Sequence, residues 1–163
     1  MIHQLIPKGS CLKCLGCCRF AQTDSIWSPN LLNEDIQELL KNRIPPFFIL
    51  ENKKIRLTYN QKQDNFVCSL LDSADNKCKV YAFRPFECQL YPFLLNRRQN
   101  QVFLAVDLRC PFAKEKQKSK IFKEHIQYLT GFLNSPDLIK ALKNNPQIIQ
   151  IYDQVLDLAA INI

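Results

Sequence analysis

Eight cysteines dominate this chain of 163 residues, and their spacing limits what it can fold into more than any other feature. Four stand in Cys11-Leu-Lys-Cys14-Leu-Gly-Cys17-Cys18, and four are dispersed at Cys68, Cys78, Cys88 and Cys110, with none after Pro111. Three thiols at the CxxCxxC spacing let one short loop wrap a centre while its backbone N–H groups point at the sulfurs. Gly16 is expected to help that loop turn tightly. Cys18 follows Cys17 too closely to reach the same ion and is expected to face a different centre or partner. Cys110, followed by Pro111, is a candidate fourth ligand for Cys11, Cys14 and Cys17, which would leave Cys18, Cys68, Cys78 and Cys88 as a second set. One centre with four spare thiols fits the same count.

Compartment decides between ligands and disulfides. The first ten residues lack a basic and an apolar signal region, and no stretch is apolar for the roughly 18 residues that a span needs. A cytoplasmic location without membrane attachment is therefore expected, and there thiols stay reduced and serve metals. The formal charge of +7 would suggest a nucleic-acid partner, but it counts every cysteine as neutral. Two tetrathiolate sites of about −2 each would bring it to about +3. Lys114, Lys116, Lys118, Lys120 and Lys123 are interrupted by Glu115 and Glu124, as on a solvated helix face, which also argues against nucleic acid. The expected partner is an unidentified protein or redox partner.

Zinc ribbons pair two tight knuckles, and only the N-terminal cysteines form one; Cys68, Cys78 and Cys88 are each ten positions apart. Iron–sulfur ligation tolerates such dispersal, so a cluster, expected to be 4Fe-4S, is favoured over zinc, the alternative. The dispersed group contains a short echo, Cys78-Lys-Val-Tyr81-Ala-Phe83 and Cys88-Gln-Leu-Tyr91-Pro-Phe93, whose rings could shield a thiolate or simply fill a core. Arg19, Arg84 and Tyr81 are candidate neighbours of the centre, the arginines as cations that offset thiolate charge. The competing reading is a surface ion pair of these arginines with Asp24 or Glu87. His125 reads as a structural histidine beside an apolar helix stripe, and His3 as mobile.

The spacing predicts an amphipathic helix from Ser28 to Asn42, with Ser28 as N-cap, Pro29 at N1 and Leu32, Ile36, Leu39 and Leu40 in one stripe. Phe47–Leu50, Lys54–Tyr59, Phe66–Cys68 and Gln101–Leu108 read as strands or extended segments. Beyond Pro111, Phe122, Ile126, Leu129 and Leu133 share a helix face, and Ser135-Pro136 and Asn145-Pro146 open two further helices. With 47% hydrophobic residues, the whole reads as a small cysteine-rich α+β domain organised around one or two metal centres. Residues 1–112 would bind the metal and residues 113–163 would form a helical extension packed on them.

Cys11-x-x-Cys14-x-x-Cys17-Cys18, Cys68-x-Leu70 and Cys78-x-x-Tyr81-x-x-Arg84-Pro85-x-x-Cys88-x-x-Tyr91-Pro92 together resemble the YkgJ-type CxxCxxCC family. The resemblance covers residues 11 to 112 and implies a zinc- or iron-chelating cysteine-cluster domain with all eight cysteines as metal ligands. Gln89 stands where the family usually has arginine and Tyr91 where it usually has phenylalanine. The cysteine motif is also similar to that of the flagellin lysine N-methylases, which raises the question of an enzyme. Against that, the three glycines form no GxGxxG loop, and the CxxxCxxC spacing of radical S-adenosylmethionine enzymes is absent. Two histidines leave few bases for hydrolysis, and whether the chain is an enzyme stays open.

Overall fold

The computed structural model describes residues 2–14, 16–72 and 74–163. It is α+β and divides into two compact units, one of Pro7–Gln89 and one of Met1–Ile6 with Leu90–Ile163. The division falls at Gln89/Leu90, well before the boundary expected after residue 112.

In the first unit, helix α1 (Lys8–Lys13) leads into β1 (Arg19–Phe20), followed by helix α2 (Asn33–Lys41), β2 (Leu57–Asn60), β3 (Asn65–Cys68) and the short pair β4 (Leu71–Asp72) and β5 (Lys77–Cys78). Strands β1, β3 and β2 form an antiparallel sheet in that order, with Phe20 opposite Phe66 and Leu57 opposite Cys68. Phe20, Leu31, Leu39, Ile55, Val67 and Leu70 form the core, and Cys68 is buried among them. Helix α3 (Phe86–Leu90) closes the unit after a 3-10 turn at Tyr81–Phe83.

Helix α2 starts later than its pattern predicts. Ser28 to Leu32 are drawn into pairing with Lys53 to Ile55: Leu31 N–H donates to Lys53 C=O at 2.8 Å, and Ile55 N–H donates to Pro29 C=O at 3.1 Å. Ser28 is buried and its hydroxyl donates to Ser25 C=O, so it is unavailable as an N-cap. Asp35 caps the helix from within by accepting from Leu32 N–H at 2.9 Å. Leu39 is buried as expected, whereas Leu40 is exposed. The helix ends in a Schellman motif, with Ile44 N–H on Leu39 C=O, Arg43 N–H on Leu40 C=O and Arg43 at φ 61°. The extended segment expected at Phe47–Leu50 begins instead as a 3-10 turn, Pro46–Phe48.

In the second unit, β6 (Phe93–Arg98) and β7 (Gln101–Val106) form a hairpin, helices α4 (Pro111–Lys116), α5 (Lys120–Leu133) and α6 (Pro136–Lys143) follow, and β8 (Leu156–Ile161) returns to β7. Strand β7 is central, and its Leu104, Ala105 and Val106 are fully buried. Ser119 caps α5 by accepting from Phe122 N–H, and Phe122, His125, Leu129 and Leu133 are its buried face. Ser135 and Pro136 open α6 as predicted. Pro146 opens only a 3-10 turn, and the expected all-helical end of the chain gives way to β8, whose edge pairing satisfies β7.

Candidate metal centre

The strand pairing of the first unit converts dispersed cysteines into neighbours. Arg19 N–H donates to Gly16 C=O at 3.2 Å, which turns the chain after Cys17 and Cys18 into β1. Next to the β1–β3 ladder, Cys68 N–H donates to Cys18 C=O at 3.0 Å. In the β4–β5 pair Cys78 lies opposite Leu71, and Lys79 N–H donates to Leu70 C=O at 2.8 Å, tying Cys78 to the segment that follows Cys68. The turn of this pair is fastened to the cysteine loop through Asn76, whose amide donates to Cys14 C=O at 3.0 Å. Asn76 sits at φ 52°, a left-handed conformation that asparagine tolerates.

The electrostatics identify which thiols share an environment. Burial pushes the Cys88 thiol well up, and Cys68, Cys78, Glu87 and Cys17 push it further. Burial raises Cys68 to about 11, with Cys78 and Cys17 adding to it. Cys78 is raised by burial, while Arg84 pulls it down. Cys17 is exposed as a residue, yet its thiol is raised, first by its hydrogen bond with Cys18 and then by burial, against the pull of Arg84. Cys17, Cys68, Cys78 and Cys88 are thus electrostatically coupled, Cys18 is hydrogen-bonded to Cys17, and Arg84 acts on Cys17 and Cys78. A second thiolate there costs energy unless positive charge accompanies it.

The candidate neighbours have different fates. Arg84 lies over the Tyr81 ring, 4.2 Å from its centroid, and acts on Cys17 and Cys78. Arg19 donates to Asn76 Oδ1 at 3.0 Å and to Gln63 Oε1 at 3.3 Å, which makes it a brace of the cysteine loop. Gln89, where arginine is usual, donates to Arg84 C=O at 2.7 Å and so braces the Arg84-Pro85 turn. Gly16 does not use a positive φ; a Cβ there would stand 3.4 Å from Cys14 Sγ. The echo of Cys78 and Cys88 is not structural, since the first runs from β5 into a 3-10 turn and the second from α3 into β6. Tyr91 donates to Asp107, and Phe93 packs on Phe122 and His125.

Two carboxylates position α3: Asp35, which the sequence does not mark, and Glu87, which it offers only as a surface partner of an arginine. Glu87 accepts from Asn30 N–H at 2.6 Å, and Asp35 accepts from Phe86 N–H at 3.0 Å. Burial raises Glu87 to about 8 and Asp35 to about 6. Glu87 is therefore engaged by Asn30 rather than by the surface pair with Arg84 that spacing offered. Nothing local in the sequence marks Asp35, because its capping partner is a leucine N–H.

Cys11 lies on α1 and Cys14 at its C-cap. Cys110 belongs to the other unit, where it is buried as N-cap of α4. Among the described residues, no three Cys, His, Asp or Glu side chains stand in a ready-made ligand sphere. The donor chemistry nevertheless fits a thiophilic metal: several thiols from one unit, their charge opposed by one guanidinium.

The CxxCxxCC family, described as "Putative zinc- or iron-chelating domain", matches residues 10–111. The chain belongs to the CxxCxxCC family. Metal chelation through its cysteine pattern is the property described for this CxxCxxCC domain, with zinc and iron both included. The chain is also similar to an uncharacterized protein of Methanocaldococcus jannaschii, 26% identical over 102 residues, which are 60% of this chain and 52% of that protein. The chain thus spans about half the length of this curated relative. No solved structure matches it.

Proposed function

We propose that this CxxCxxCC protein holds an iron–sulfur cluster, 4Fe-4S by its thiolate supply, with a structural or electron-carrying role. The observation that carries the reading is the main-chain pairing that ties Cys18 to Cys68 and Cys78 to the segment after Cys68, with Cys17 and Cys88 coupled to them electrostatically. Cys11, Cys14 and Cys110 are the remaining candidate ligands. Thiols raised this far become thiolates only when a cation repays their desolvation, so metal binding would release protons. Arg84 would offset the residual negative charge, and Tyr81 would hold the guanidinium in place. Their dispersal over β3, β5 and α3 suits a cluster better than paired zinc knuckles. As an electron carrier the protein would work with a redox partner in the cytoplasm. None of the described helices is long and apolar enough to cross a membrane.

The test is anaerobic purification followed by iron, zinc and acid-labile sulfide analysis and visible absorbance. Iron and sulfide in a coloured protein are expected. Stoichiometric zinc in a colourless protein would overturn the cluster while leaving chelation intact, and neither metal would overturn both.

A further inference from the structure

Both histidines of the chain, His3 and His125, belong to the second unit, whereas all the cysteines but Cys110 belong to the first. Buried Ile2 anchors the N-terminal segment, and His3 N–H donates to the Tyr128 hydroxyl at 3.1 Å. Tyr128 follows His125 by one turn of α5, so the two share a helix face, and the pinned backbone brings the His3 ring beside His125. The two imidazole centroids are 6.1 Å apart, and the Tyr128 ring lies 6.1 Å from His3 and 5.5 Å from His125. His3 is exposed, and His125 is buried against Phe93. Among the described residues, no ring nitrogen of either histidine makes a hydrogen bond, and neither ring pairs with a carboxylate.

We propose that His3 and His125 together bind a divalent first-row transition ion, at a site separate from the thiols, with water completing the ion's sphere. Neutral imidazole is the common nitrogen ligand of zinc, copper, nickel and iron. An ion about 2.0–2.1 Å from one nitrogen of each ring holds the ring centroids about 5–6.5 Å apart, a range that contains the observed spacing. Packing accounts for the burial of His125 but gives its nitrogens no partner, where most buried polar side-chain atoms have one. The Phe93 and Tyr128 rings hold the His125 ring, and the Tyr128 hydroxyl holds the His3 backbone, so the ion meets donors that are already ordered. Two protein ligands leave the remaining positions to solvent, which suits an exchangeable ion rather than a closed structural site.

The experiment is titration of the full chain, carrying its resident metal, with Zn²⁺, read by calorimetry and by the ring nitrogen chemical shifts of the two histidines. Zinc is the probe because, unlike Cu²⁺, it does not displace main-chain amide protons. Saturable binding of one ion per chain, with coordination shifts at both rings, is expected. His3→Gln and His125→Phe should each weaken it by at least about tenfold, since a lost ligand costs no less than a lost outer partner of a ligand. Phenylalanine keeps the packing of the buried position, and unchanged circular dichroism separates lost binding from lost folding. If His125→Phe does not fold, the exposed His3→Gln carries the test alone. The proposal is overturned by absence of saturable binding, by binding that leaves either ring unshifted, as capture by the thiols would, or by an affinity that survives the substitutions.

Discussion

Asp107 is 1% exposed, and its carboxylate accepts from Arg109 through backbone N–H, Nε and Nη2 and from the Tyr91 hydroxyl at 3.2 Å. Asp107→Ala should leave the half-buried Tyr91 hydroxyl without this acceptor and cost about 1–2 kcal/mol, measured by chemical denaturation. His125 is buried between Phe93, Tyr128 and His3, with His3 N–H donating to the Tyr128 hydroxyl. Burial and then His3 lower its pKa from 6.5 to about 4. The folded state therefore binds fewer protons than the unfolded state between those values, so this contribution to stability is complete above pH 6.5 and is lost as pH falls towards 4. His125→Phe should flatten the thermal midpoint against pH in that window. A slope unchanged in the variant would assign it to other groups. The cysteines, Arg84 and the structural character of His125 were legible in the sequence, because each residue type has few other uses. The docking of His3 was not, since its partners lie more than 120 positions away.

Arg43 occupies the left-handed C′ position after α2, which glycine fills without steric cost. Arg43→Gly should raise stability by about 1 kcal/mol, visible as a higher denaturant midpoint. Asp35 joins two elements, capping α2 and receiving the first N–H of α3. Asp35→Ala should cost about 1–2 kcal/mol and speed alkylation of Cys88, because α3 loses its anchor. Equal alkylation rates in both proteins would refute that coupling. The amphipathic period located α2 and α5, and the Ser-Pro pair located α6. Periodicity could not locate the start of α2, where pairing with Lys53 to Ile55 overrides the Ser28-Pro29 signal. It also left β8 unseen, since a strand that completes another's hydrogen bonds carries only a weak pattern of its own.

At the scale of the molecule, Cys17, Cys18, Cys68, Cys78 and Cys88 and the β6–β7–β8 sheet belong to different units. Removing metal anaerobically with a chelator should raise amide exchange in β1, β3 and β2 while β6 to β8 stay protected. Uniform loss of protection across both sheets would mean that the units unfold as one. Metal content should also fall by at least about half in Cys68→Ser and Cys88→Ser, whose thiols share the environment. Full occupancy in both would exclude them as ligands.

The sequence by itself determined the donor chemistry, the family and the α+β class, because thiol spacing and hydrophobic period are local properties of the chain. Only the tertiary structure decided which cysteines become neighbours. Spacing groups Cys17 with Cys11, Cys14 and Cys110, and the fold also couples it to Cys18 and Cys88. That coupling depends on β1 pairing with β3 and on Asp35 and Glu87 fastening α3, contacts whose partners are between 46 and 57 residues apart. Hydrogen bonds of such range leave no periodic trace in a sequence, and they bring dispersed thiols into one unit of the fold.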